Sequence, residues 1–300
     1  MTGQDQHKTV KAQTAGEVPA ESWMWRAWRR FLRHKLAVAA AIVILLLYLV
    51  AVFAPWIAPY DPIDDIFLTR RLEGPSWEHW FGLDEVGRDV LSRVIWGSRI
   101  SLSIGFLAAS ISLVMGVVLG ALAGYFGGAV DTIIMRLVDL LMAIPQILLI
   151  IAVVAALGPS FLNVIVVIGA TGWTQYARVT RGEFMSLRNE EFVEAARAVG
   201  GSTARIVFGH ILPNCLAPII VLVTLNVATA VLIETALSFL GFGVQPPTPS
   251  WGNILTPGRQ FLRHAPHIAT MPGLAITLTV LVFNLAGDGL RDALDPQMDV

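Results

Sequence analysis

Long apolar runs alternate with short charged stretches along this chain, and the lengths of the runs set the prediction. A helix needs about 20 apolar residues to cross a bilayer core. Residues 36–60 contain no Asp, Glu, Lys or Arg and give a first span over roughly 36–55. Residues 100–130 are equally free of charge and give a second. Residues 140–177 run uncharged for 38 residues, too long for one helix, and Gly158-Pro159 divides them into two spans. A fifth span begins within 214–233 and ends near Gly241, and a sixth covers roughly Met271 to Gly287. The prediction is an all-α, polytopic membrane protein with six transmembrane helices. Its parts are a disordered tail (1–22), a basic interfacial helix (23–35), a first span (36–60), an external loop (61–99) and a core of five helices (100–296). A polar loop at 183–213 interrupts that core.

Composition agrees: 55% of the residues are hydrophobic and 14% charged, whereas about a quarter are charged in a soluble domain. Orientation follows from basic residues beside the spans. Arg26, Arg29, Arg30, Arg33 and Lys35 precede the first span with no acid among them, which places the N-terminus in the cytoplasm. With six spans the C-terminus lies there too, as does the polar loop with Arg188, Arg197 and Arg205. The 61–99 loop also holds five arginines, but eight acids outnumber them. Trp25, Trp28 and Leu32 fall on one side of the 23–35 helix and its arginines on the other, the pattern of an interfacial anchor.

Within the spans, Ala108, Ser112, Gly116, Gly120 and Gly124 recur every four residues, a small-residue seam for close helix packing, within the subunit or against another. Pro145 removes a backbone donor and kinks its helix, either beside a path or around a neighbour. Glu234 is the acid placed deepest in an apolar context. It belongs either to a translocation path or to a pair within the bundle.

The polar loop has its own helix grammar. Asn189 is placed to cap a helix, with Glu190 and Glu191 at its positive end. Phe192, Ala195, Ala196 and Val199 have the spacing of one apolar face. Gly200-Gly201 stops the helix and Ser202 caps a second. Two short helices around a glycine corner make a knob for a soluble partner; the plainer alternative is an amphipathic helix lying flat on the membrane.

Glu194-Ala195-Ala196, three residues, Gly200, nine residues, then His210-Ile211-Leu212-Pro213 resembles the Glu-Ala-Ala loop of the membrane subunits of ATP-binding-cassette importers. His210 stands where the general pattern has Ile, as in the peptide-importer branch. Further stretches fit that branch: residues 54–62, the 81–93 segment with Asp84, Gly87, Arg88 and Asp89 (Leu83 where Thr is commoner), 238–241, 245–252 with Gln245, Pro246, Pro247 and Trp251, and 283–296. Over about Trp25 to Pro296 the chain resembles the second, C-type permease of the dipeptide/oligopeptide/nickel importer family. The resemblance implies a type I importer fold in a bacterial plasma membrane, with a coupling helix around Glu190–Ser202, Arg197 and Gly201 included, that docks on an ATPase. The implied partners are a sister permease, two ATPase subunits and an external substrate-binding protein. Members carry dipeptides, oligopeptides, glutathione or nickel.

Chemistry within the chain is not expected. The only lysines are Lys8, Lys11 and Lys35, and no Gly-x-x-x-x-Gly-Lys-Ser/Thr loop occurs, so the resemblance assigns ATP and Mg to the partner ATPases, and no cofactor to this chain. Neither His-Glu-x-x-His nor Gly-x-Ser-x-Gly is present. Cys215 stands alone, and His264 with His267 lacks an evident third ligand, so no metal site is expected. A secondary transporter would need paired broken helices in the two halves, which the pattern does not supply. A passive scaffold leaves the Glu-Ala-Ala spacing unexplained.

Overall fold

Short polar caps set the first turns of several helices, and the long apolar runs do the packing. A computed structural model describes residues 23–294. The tail 1–22, expected to be disordered, and the Asp295-Pro296 end of the last motif lie outside the described residues. Among the described residues there is no strand, only an isolated bridge between Leu83 and Asp89.

Helix α1 (Trp23–Arg33) is the basic helix. Trp25, Trp28 and Leu32 are about half exposed, while Phe31 is buried against Ala37 and Ala293. His34 separates it from α2 (Lys35–Val52), and its Nδ1 accepts from the Ala37 N–H at 3.1 Å as the N-cap. The chain then folds over the far side until α3 (Val90–Phe126). This helix starts ten residues before the expected second span, so the 61–99 loop ends at Asp89. Charge counting marks where a span leaves lipid, whereas the helix is fixed by its cap: Asp89 accepts from the Ser92 N–H at 2.7 Å.

After Gly127 and Gly128, both at positive φ, the third span is split. Helices α4 (Gly128–Met142) and α5 (Gln146–Leu157) meet at an angle of 87°. The expected kink at Pro145 is therefore a full break, and the expected span from residue 140 is corrected. With 12 residues, α5 reaches about 18 Å, too short for a bilayer core without α4. Gly158, at φ 87°, makes the turn into α6 (Phe161–Leu187). Ser160 caps α6 by accepting from the Asn163 N–H at 3.1 Å, and the Asn163 amide returns a bond to the Gly158 carbonyl at 2.8 Å.

A polar segment follows: α7 (Glu191–Ala198), α8 (Thr203–Ile206), a π-helical turn over Val207–Ile211 and a last turn over Leu212–Asn214. The loop expected from 183 thus begins at Arg188. Helix α9 (Leu216–Phe239) carries the fifth span, α10 (Trp251–Gly258) folds back, and α11 (His267–Leu294) carries the sixth. Among the described residues, α2, α3, α9 and α11 are each long and apolar enough to cross a membrane, and the bent α4–α5 pair makes a fifth. Helix α6 has the length, 27 residues, but is more polar because much of it faces protein.

The small-residue seam packs α3 against α6. A Cβ on Gly116 would lie 2.3 Å from that of Tyr176, one on Gly120 2.5 Å from the Ala177 carbonyl, and one on Gly124 2.6 Å from the Phe184 Cβ. The Ser112 hydroxyl donates to the Gly169 carbonyl at 2.9 Å. The seam lies within the subunit. Its end is tied by ion pairs, bidentate Arg181–Asp131 and Arg178–Asp139 at 2.9 Å, between α6 and α4.

Candidate functional site: a surface platform and a cavity between the spans

The platform is the segment 188–214, on the same side of the bundle as α1. The N-cap of its helix α7 is Glu190, which has extended backbone and makes no side-chain cap bond, so Asn189 does not cap as expected. The buried face also differs. Val193 and Ala196 pack under the helix with Phe184, Ile206, Ile211 and Cys215. Phe192 is 40% exposed and Val199 86%, so these two point away from the subunit. The spacing rule finds a stripe but cannot say which side meets protein when both are apolar.

The glycine corner forms as expected. Gly200 takes φ +79°, its N–H donates to Arg197 O at 2.9 Å, and the Gly201 N–H donates to Ala196 O at 2.9 Å. This double bond closure is the Schellman arrangement, and a non-glycine at Gly200 is strained. A Cβ on Gly201 would lie 2.7 Å from Ala196 O. The Ser202 hydroxyl caps α8, accepting from the Arg205 N–H at 3.4 Å. Arg197 lies over the Tyr125 ring at 5.9 Å, joining the platform to the end of α3. Glu190, Glu191, Glu194 and Ala195 are exposed, so the outward surface combines acids with Phe192 and Val199.

On the opposite side, the expected signature residues divide into buried anchors and an exposed rim. Asp84 is fully buried; its Oδ1 accepts from the Val86 and Arg88 N–H groups at 2.9 Å, and its Oδ2 from Arg88 Nε at 2.8 Å and from Arg93. Burial acts to raise its pKa, but Arg93, the backbone N–H groups and Arg88 outweigh it and hold the carboxyl below the usual range. Asp89 also takes the Ser92 hydroxyl at 2.8 Å and His79 Nδ1 at 3.0 Å. Gly87 sits at φ +92°, where a Cβ would be 2.5 Å from Phe67 O. Trp251 is buried and donates from Nε1 to Val94 O at 2.9 Å. Gln245, Pro246 and Pro247 are exposed. His267 bonds Leu83 O at 3.1 Å while His264 is exposed, so the two do not converge.

Glu234 is fully buried. Its Oε2 accepts from Ser101 at 3.0 Å and its Oε1 from Ser238 at 2.7 Å, while Ser101 also receives the Trp251 N–H at 3.2 Å. Of the two roles open to it, these bonds favour the one within the bundle: this acid joins α3, α9 and α10 inside the subunit.

The cavity lies elsewhere, at the α4–α5 break, with a volume of about 280 Å³. Ser112, Gln146, Thr171, Gln175, Asn226 and Thr229 give it a polar wall. Asn226 lies near the middle of α9 and Thr171 near the middle of α6. Asn226 donates to Leu222 O at 2.9 Å, and Gln146 donates to the Thr171 hydroxyl at 3.3 Å. Asn226 and Gln175, amides inside apolar or span-length helices, were the available sequence signals, and a search for charge passes over them.

The sequence comparisons then decide the family. Residues 116–300 match the binding-protein-dependent transport system inner membrane component, and residues 22–75 match the N-terminal TM domain of oligopeptide transport permease C. The chain belongs to this permease family. A dipeptide transport system permease of Alkalihalophilus pseudofirmus is 47% identical over 275 residues, covering 91% of this chain and 90% of the relative. A glutathione transport system permease of Escherichia coli O6:K15:H31 is 48% identical, covering 90% and 89%. A di/tripeptide transport system permease of Pseudomonas aeruginosa is 45% identical, covering 90% and 91%. Among solved structures, the MetNI methionine ABC transporter in inward-facing conformations matches with TM-score 0.54 at 18% identity, covering 68% of this permease and 96% of that chain. An amino acid ABC transporter crystallised with histidines matches with TM-score 0.52 at 14% identity, covering 67% and 94%. The six helical segments thus form the type I permease fold, in a multi-pass membrane subunit of an ABC importer.

Proposed function

We propose that this permease imports peptides of the di- and oligopeptide class, and that the 188–214 platform couples its spans to ATP hydrolysis. The observation that carries the coupling role is the outward pairing of Phe192 and Val199 with Glu190, Glu191 and Glu194 on a helix locked by the glycine corner. A face that buried Val193 and Ala196 while lying flat on lipid would not present its acids and its largest apolar groups together. The partners are a sister permease completing the channel, two ATPases holding ATP and Mg, and an external binding protein. Both termini then lie in the cytoplasm with the platform. Closing the ATPases moves the platform as a rigid lever and shifts the spans between two packings.

Glutathione import stands as the second reading, because a 48% identical relative carries that name. Nickel import by the same architecture remains the other variant of the notion. Reconstituting the four-subunit assembly with its binding protein in vesicles tests the proposal. ATP-dependent uptake of labelled dipeptide, not suppressed by excess glutathione, is the expected result. Uptake of glutathione or of nickel with none of dipeptide would overturn the peptide reading. Loss of ATPase subunits on purification of Glu194→Lys is expected, and full retention with normal uptake would overturn the coupling role.

A further inference from the structure

The cavity at the α4–α5 break has an unusual chemistry for a passage through a membrane subunit. Among the described residues that line it there is no Asp, Glu, Lys, Arg, His or Cys. Its polarity comes from side-chain amides and hydroxyls at mid-depth in α3, α6 and α9, and from Gln146 at the first turn of α5. Pro145 stands beside them, also lining the cavity, and has no N–H, so the helical ladder is interrupted where the polar wall is densest. Several capacities remain open. The Asn226 Oδ1 and the whole Gln175 amide take no bond from the described residues. Amides present both donors and acceptors, the complement of a peptide group. Gly172 keeps the wall tight: a Cβ there would lie 2.5 Å from the Ser112 hydroxyl. The volume is at the lower edge of small-molecule pockets, about 300 Å³.

We propose that this cavity is a charge-neutral transit site that hydrogen-bonds the amide backbone of the passing solute and is indifferent to the charge of its side chains. This rests on the peptide reading above and names how the permease recognises its substrate. A full charge in the wall would attract one class of side chain and repel the other; a neutral amide wall leaves such sorting to the binding protein. The same composition makes the cavity a poor holder of a bare transition-metal dication, whose tight sites are built on imidazole or thiolate ligands.

The test uses the full reconstituted assembly with one binding protein and three labelled dipeptides: neutral, lysine-containing and glutamate-containing. The readout is the ratio of lysine- to glutamate-peptide uptake at saturating peptide. Because it is a ratio, it is independent of how much assembly each variant yields, and the binding protein's own preference cancels against wild type. Asn226→Asp is expected to raise the ratio and Gln175→Lys to lower it, each by about tenfold, the size of a 1.4 kcal/mol interaction. Asn226→Leu is expected to slow all three peptides alike. An unchanged ratio in both charged variants, or a shift in the same direction in both, would overturn the inference. If one charged variant does not assemble, the other carries the test alone. A wild-type assembly that moves no dipeptide defeats the peptide reading instead, and is recognised before any variant is compared.

Discussion

Asp84 and Arg93 show how a single pair can hold the far side of this permease. Both are almost fully buried, and Asp84 also gathers Arg88 and two backbone N–H groups. Removing the carboxylate leaves Arg93 buried without its partner, so Asp84→Ala is expected to cost about 3–5 kcal/mol and to lower the melting temperature of the purified protein. The pH dependence has a definite sign. The folded pKa of Asp84 is depressed, so its stabilisation is full above about pH 4 and is lost as pH falls through the lowered folded value. Thermal melts from pH 7 down to 3 are expected to show a fall that is smaller in Asp84→Asn; equal slopes would refute the role. Gly200 is the second such residue. Gly200→Pro introduces strain at φ +79° and removes the N–H that reaches Arg197. Membrane insertion is expected to persist while ATPase subunits are lost on purification, and intact co-purification would argue against the corner's importance.

Between elements, the α3–α6 seam sets the geometry. Gly120 meets the Ala177 carbonyl so closely that any side chain forces the helices apart. Gly120→Leu is expected to destabilise the fold by at least about 1–3 kcal/mol, visible as a lower melting temperature, while the same change at Gly182, where a Cβ meets nothing within 4 Å, is expected to be mild. A similar loss at both would remove the seam's special status. This is also where legibility in the sequence divides. The seam, the Gly158 turn, the Ser202 cap and the glycine corner were readable because each depends on a local backbone or steric demand. The start of α3 was not, since Arg93 and Arg99 look like the edge of a loop until Asp84 is seen to pair with one of them. Nor was the α4–α5 break, where Pro145 announces a kink but not an 87° turn. The buried side of α7 is not legible either, because Val193 and Phe192 are both strongly apolar and only tertiary packing chooses between them. Glu234 stands out by its charge, yet its partner Ser101, which itself receives the Trp251 N–H, lies far away in sequence. The amide-lined cavity needs three helices to be brought together before it exists.

For the whole molecule, the fold places three devices along one bundle: anchored loops on the far side, a neutral cavity at mid-depth and an outward platform on the side of α1. Rigid connections link them, since α3 runs from Asp89 to the Tyr125–Arg197 contact and α6 runs from the cavity to the platform. If the platform's outward face meets an ATPase, a cross-linker placed on that face must capture it. Cys215 is fully buried, so Val199→Cys, at a position 86% exposed, offers one accessible thiol for a photoactivatable cross-linker. In native membranes of cells producing the full assembly, an adduct with the ATPase subunit is expected, its yield changing when ATP is added. An adduct with lipid alone, in an assembly that still contains the ATPase, would show that this face lies on the membrane instead.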